Sequence, residues 1–366
     1  MTYIKFITYL FPVLLIGFTF ARAKVYGVRT FNENAYSLTQ SKAIQGFAAL
    51  AIMFHHLAQH TCAPWLSYPR VKGLEPFLNI GYLMVGIFFF ASGFGLYKSV
   101  KSKDGYLKNF FKKRFLPLIY FYLVTNIIVF LVTKHLSTYT WFVYAIAISY
   151  IGFFLAFRFI KNDHIAIIFT AIVSIAYVYV VDFIIGFETF WFNSSLVFVI
   201  GIIFAKYEKT LMELFKKYYW VVLILLVVAF VFAFRKSIKM NDYLGTSEAT
   251  YNNPVLKLKT ALMQSLTALL FSLAIIVLNL KVELRNGLLG KMGGMTLGFY
   301  LIHPLFCDLF CWATFFPKYR RILYIKNIPL YVVSVFITSM LVTIILYKVY
   351  DLITKKEKSH GNKDSQ

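Results

Sequence analysis

Gln45-Gly46-Phe47-Ala48-Ala49-Leu50-Ala51-Ile52-Met53-Phe54-His55-His56-Leu57 is an apolar run that carries two adjacent histidines. An ionisable side chain at membrane depth is costly, about 2.5–3.5 kcal/mol for charged residues on insertion scales. Neutral imidazole is cheaper, yet it still needs a hydrogen-bond partner. Such a residue is a functional-site hypothesis by default, and the weight of that hypothesis depends on what surrounds the run.

The surroundings are membrane-like. The chain has 366 residues and is 60% hydrophobic, with a mean hydropathy of +0.69, whereas soluble domains run nearer 45–50% apolar. Long apolar stretches recur along the whole length, each near the roughly 20 residues a bilayer-crossing helix needs. The pattern predicts an all-α, polytopic transmembrane helical bundle of eleven spans, at 3–21, 41–60, 77–97, 113–133, 139–158, 164–184, 190–205, 218–234, 259–280, 293–313 and 329–350. No internal repeat is visible, which counts against a transporter built from duplicated halves.

The formal net charge is +23. In a soluble chain that would suggest nucleic acid, but here the cations cluster in short loops between spans, as the positive-inside rule requires. No nucleic-acid partner is expected. Segments 22–42, 98–114, 158–163, 206–217, 281–291 and 348–366 hold 25 of the 38 lysines and arginines, and the alternate segments hold 13. The richer side is assigned to the cytoplasm, which places the N-terminus outside and the C-terminus inside. Segment 314–328, with Lys318, Arg320, Arg321 and Lys326, dissents. Ala21-Arg22-Ala23 has the form of a signal-peptide cleavage site, but Arg22, Lys24 and Arg29 follow the apolar core and only Lys5 precedes it. A retained first helix is therefore preferred. The longest polar stretch, 235–258, reads as an external loop. Cys62, Cys307 and Cys311 include no CxxC pair, so no disulfide framework is implied.

Four segments could carry chemistry. On the second span Gln45, Ala48, Ile52 and His56 share a helix face, with Lys42 one turn before Gln45 and His60 one turn after His56. The bland reading is a pair of packed histidines. A metal site from His56, His60 and Cys62 lacks a carboxylate or further cysteine to complete it, and none is expected. The third span, Gly81 to Gly95, places small residues at 81, 86, 91, 92, 93 and 95, which suits close helix packing and also close approach of a ligand. The third segment is the densest cation cluster: Lys98, Lys101, Lys103, Lys108, Lys112, Lys113 and Arg114, followed by Pro117. It serves either topogenesis and lipid headgroups or capture of a polyphosphate such as coenzyme A. The fourth runs from Gly290 to Pro304 and sets His303 in the membrane, with Tyr300 one turn earlier and Thr296 about two turns earlier.

Together, in this order, the four segments resemble the acyltransferase type 3 family of integral-membrane O-acyltransferases. The family's Arg-x-x-Ala-x-x-x-Val-x-x-x-His is similar to Gln45-x-x-Ala48-x-x-x-Ile52-x-x-x-His56. Its Gly-Val-x-x-Phe-Phe-x-x-Ser-Gly-Phe resembles the segment Val85 to Phe94, its Arg-x-x-Pro matches Arg114 to Pro117, and its Ser-x-x-x-Tyr-Leu-x-His resembles Thr296 to His303. The signature arginine is Gln45 here, with Lys42 a substitute one turn away, and the last motif's serine is Thr296. The resemblance covers residues 38 to 350. It divides the chain into an extra N-terminal helix with its linker (1–37), the acyltransferase membrane domain (38–352) and a polar, disordered tail (353–366).

The resemblance implies a chemistry. An acyl group, expected to be acetyl, arrives on coenzyme A at the inner face of a plasma (bacterial inner) membrane. It leaves on a hydroxyl of an envelope polysaccharide or lipid-linked glycan. His56 takes the hydroxyl's proton as general base, and Arg114, Lys113 and Lys112 bind the donor's phosphates, with Lys42 and Gln45 at the same end. Ser92, Tyr300 and His303 orient the acyl group or stabilise an oxyanion. A covalent acyl-histidine is the variant mechanism. Acyl-CoA, glycan and membrane lipid are then the partners. Two other readings stay open: a transporter or flippase for a lipid-linked sugar, with His56 and His303 relaying protons, and a non-catalytic membrane relative.

Overall fold

The computed structural model describes residues 2–66, 70–240, 253–311, 323 and 325–361. Among them, seven helices are long and apolar enough to cross a membrane. They are α3 (Gly81–Ser102), α4 (Phe110–Thr133), α5 (Trp141–Phe159), α6 (Asp163–Tyr179, extended by a π-helical turn Val180–Ile185), α9 (Tyr219–Met240), α10 (Pro254–Asn279) and α13 (Ile328–Gly361). Three more expected spans are helical with shorter apolar stretches: α1 (Thr2–Phe20), over Tyr9–Phe20, α7 (Val197–Lys206) and α12 (Thr296–Phe310). The eleventh, α2 (Leu38–Thr61), has 24 residues but a more polar composition. The short helices α8 (Glu208–Lys217) and α11 (Gly287–Gly293) complete the set.

Local chemistry sets the ends. Ser37 caps α2 by accepting from the Gln40 amide, and Asn253 caps α10 by accepting from the Val255 and Leu256 amides, with Pro254 in the first turn. Both are the residue types that satisfy orphan helix donors. Helix α7 starts at Val197, later than the expected 190, because Asn193, Ser194 and Ser195 turn the chain with side-chain hydrogen bonds of their own. Helix α9 runs to Met240, past the expected 234, so Arg235, Lys236 and Lys239 sit in its last turns, where cations suit the helix dipole. Helix α13 continues to Gly361 through residues expected in the tail. Most of the expected external loop (241–252), and Lys318, Arg320 and Arg321 of the dissenting segment, lie outside the described residues.

The chain divides into two compact units. The first comprises residues 1–110 and 141–293, and α2 is its central helix. Seventeen of the 24 residues of α2 are buried, so protein rather than lipid surrounds it. That is why Gln40, Ser41, His56 and His60 are tolerated in a helix of bilayer length. The small residues of α3 act in packing: a Cβ on Gly93 would collide with Phe198 O, and one on Gly201 with Phe90 O, so α3 and α7 touch backbone to backbone.

One end of this unit is tied together by contacts far apart in sequence. Strand β1 (Lys24–Val25) pairs antiparallel with β2 (Val282–Glu283). Lys101 pairs with Asp163 and Lys98 with Glu208, both at 2.7 Å, and Lys216 pairs with Glu33. Five segments assigned to one membrane face, 22–42, 98–114, 158–163, 206–217 and 281–291, are thus joined to one another. On the opposite face, Lys257 pairs with Asp182 at 3.1 Å and donates to Phe187 O at 3.1 Å, joining 185–189 to the first turn of α10. Within this unit the ties gather the expected loops at two ends in alternation.

No local motif marks the role of Lys281. Its ammonium donates to the carbonyls of Gly27, Val28 and Thr30 at 2.6–2.8 Å and lies 3.7 Å from the centroid of the Phe31 ring. Burial pulls its pKa down from the ordinary lysine value. Lys281→Met should strand three carbonyls and destabilise the linker by about 1–3 kcal/mol. Faster proteolysis between residues 22 and 37 than in the wild type would register this; an unchanged cleavage rate would refute it.

The second unit comprises residues 111–140 and 294–366 and is built from α4, α12 and α13. Val129, Ile302, Leu305 and Leu309 form its core. The Phe121 and Tyr347 rings meet at 4.3 Å, and Tyr331 donates to Cys307 O at 2.6 Å.

Candidate active site

In the first unit the two adjacent histidines have different surroundings. His55 Nδ1 lies 3.0 Å from Phe77 O. A carbonyl can only accept, so Nδ1 carries the proton and Nε2 the lone pair. The His55 ring fills the space beside Gly81, where a Cβ would stand 2.5 Å from the imidazole. Phe54, one residue earlier, stacks on the Phe77 ring at 4.6 Å and 17°. His56 is buried, and its ring centroid is 5.5 Å from that of His55. His60 is buried a turn further on. Cys62 donates to Ala58 O at 3.2 Å, and burial pushes its thiol up to about 11. Among the described residues, no three His, Cys, Asp or Glu side chains come together as a metal-ligand group.

Helix geometry sets depths within this unit. Helices α2 and α3 run antiparallel, with His55 level with Gly81. Ser92 is eleven residues further along α3, about 16 Å at the helical rise. The structure therefore does not bring Ser92 to His56. Ser92 is half-buried and receives a long, 3.5 Å contact from the Tyr150 hydroxyl. Gln45, half-buried, donates to Ser41 Oγ at 3.0 Å; like Ser92 it lies about 16 Å from the histidine level. Lys42, exposed, is about 21 Å from His56. Gln45, Lys42 and Ser92 thus share the cation-rich end, and His55 and His56 share the other. The cation-rich end of α2 is clamped by α11: a Cβ on Gly46 would collide with Leu289 O, and one on Gly293 with Lys42 O.

The second unit holds the remaining candidates. His303 is fully buried, with Nδ1 2.8 Å from Phe299 O, which again fixes the proton on Nδ1 and leaves Nε2 as the basic nitrogen. The Phe299 ring stacks on it at 5.4 Å and 15°, and the Tyr300 ring stands 6.1 Å away at 63°. Pro304 has no N–H, so the bond that would close on Tyr300 O is missing. Lys112 and Lys113 are exposed and Arg114 is half-buried, all in the first turns of α4. The seven-cation cluster is therefore divided: Lys98 and Lys101 are engaged in ion pairs within the first unit, while Lys112, Lys113 and Arg114 belong to the second.

Sequence reading missed a buried polar network that starts beside Gly81. Tyr82 OH shares a 2.7 Å bond with Ser237, Ser194 donates to Tyr82 O at 2.8 Å, Asn193 donates to Gln264 at 2.8 Å, and Ser265 donates to Asn193 O at 2.6 Å. Its members lie up to 155 residues apart, and no local motif marks them.

Fold and side chains define a multi-pass helical membrane protein that holds histidines inside its helical units. A family model described as an acyltransferase domain matches residues 40–348, and the chain belongs to the acyltransferase type 3 family; it is a membrane acyltransferase. No curated protein and no solved structure matches it.

Proposed function

We propose that the chain is an O-acyltransferase that moves an acetyl group from cytosolic acetyl-CoA to a hydroxyl of an envelope polysaccharide or lipid-linked glycan. The cation-rich end of the bundle is then cytoplasmic and the membrane is the plasma membrane, with the N-terminus outside. The observation that carries this reading is the depth of His56, buried about 21 Å along α2 from Lys42. A phosphate held by Lys42 at that end of α2 leaves the extended pantetheine arm to cover that depth and deliver its thioester near the imidazole.

His56 accepts the acceptor's hydroxyl proton as the oxygen attacks the thioester carbonyl. The carbon–sulfur bond then breaks, and the coenzyme A thiolate leaves and is protonated. Arg114, with Lys112 and Lys113, binds the donor's phosphates through charge-assisted hydrogen bonds. Tyr300 and His303 orient the acyl group, with the His303 tautomer already set by Phe299 O. Gln45 supplies an amide where the family signature has a cation, so Lys42 carries the positive charge at that end of α2.

The test uses membranes from cells with and without the chain, supplied with radiolabelled acetyl-CoA. Label released by mild alkali from the glycan fraction, and only when the chain is present, is the expected result. Alkali-stable label, or none with acetyl-, propionyl- and succinyl-CoA alike, would sink the reading.

A further inference from the structure

The histidine pair invites the reading that both imidazoles do chemistry. We infer instead that His55 is a positioning residue, which fixes the ring of His56 by clamping the end of α2 to the entry of α3. This rests on the acyl-transfer reading above.

Three contacts converge on one short segment. Phe77 O accepts from His55 Nδ1 at 3.0 Å, the Phe77 ring stacks on Phe54 at 4.6 Å, and Gly81 leaves room for no side chain other than the His55 ring. Phe54 and His55 are therefore held from the same residue, Phe77, which sits in a short 3-10 turn, Glu75–Phe77, just ahead of α3. Both grips act on the backbone immediately before His56. The N–H of His55 is engaged, and its other nitrogen faces the Gly81 wall, so its ring has little room to exchange protons with a substrate. A rotation of α2 at this point would carry His56 off line, and misplacement by about 1 Å can lower a rate about 10²-fold.

Substitutions separate position from chemistry. In His55→Asn the amide nitrogen takes the place of Nδ1 and can donate to Phe77 O. His55→Leu has no donor. Should the leucine variant fail to accumulate, His55→Gln, whose N–H is placed one bond too far along, replaces it. The expected result is that His55→Asn keeps kcat within about threefold of wild type, while His55→Leu, or His55→Gln in its place, falls by about 10²-fold in kcat with KM for donor and acceptor unchanged. An asparagine variant as inactive as the leucine variant would show that the imidazole itself reacts, and would overturn the inference. So would a leucine variant with normal kcat per folded molecule.

A second readout needs no turnover. The rate of diethyl pyrocarbonate modification of His56, followed by peptide mass spectrometry, should match wild type in His55→Asn and differ in His55→Leu or its glutamine replacement. Equal rates in all three would overturn the positioning role. If wild-type protein transfers no acyl group, the functional reading fails and the modification rates still decide this one.

Discussion

His56→Ala should lower kcat for acyl transfer by about 10²–10⁴-fold, the range that a positioned general base supplies, and leave KM for acetyl-CoA within about twofold. A hydroxyl is a poor nucleophile at neutral pH, and its proton has to go somewhere as the new carbon–oxygen bond forms. His56 is a buried imidazole on the helix that carries the first family signature, and imidazole is the side chain best matched to that task near neutrality. Lys42 and Gln45, on the same helix, stand about 21 and 16 Å away, which is why donor binding should be little altered. His56→Gln, closer in volume, should be just as slow. The measurement is steady-state kinetics of purified protein in lipid nanodiscs, with the thermal unfolding midpoint as a control on folding. A loss smaller than about threefold would remove His56 from the proton transfer.

Lys257→Met should cost about 3–5 kcal/mol of stability, because it strands a buried carboxylate. Asp182 has no exposed side-chain surface and Lys257 only 10%. Lys257 also donates to the carbonyls of Gly186 and Phe187, so the substitution leaves a charge and two acceptors unmatched where the π-helical turn ends. Converting both partners, Asp182→Leu with Lys257→Met, should restore much of the loss, since a buried pair replaced as a whole by apolar groups is often near neutral. Unfolding in mixed micelles of the two single variants and the double would report it. Equal stability of wild type and Lys257→Met would mean that the pair is solvated in the membrane.

The apolar spans were legible because each depends only on a local run of side chains long enough to cross a bilayer. The family was legible because its motifs are short and local, and the family model matches residues 40–348. What resisted reading depends on partners remote in the chain. Lys98 and Lys101 look like phosphate ligands until Glu208 and Asp163, 110 and 62 residues away, take them. Ser92 sits in a matching motif, yet only the antiparallel register of α2 and α3, fixed by Gly81 against His55, reveals how far it is from His56. The different surroundings of two adjacent histidines were equally hidden, because Phe77 O is 22 residues distant from the ring it holds.

The lysine cage around Gly27, Val28 and Thr30 has a consequence for how the protein is made. Its ammonium is encoded 254 residues after the first carbonyl it grips. At about 5–20 residues per second, a ribosome needs about 13–50 s to supply it. Throughout that interval the first helix and its linker have left the ribosome with their fastener still untranslated. A nascent chain stalled just before residue 281 should therefore expose residues 22–37 to protease, and one released just after β2 should not.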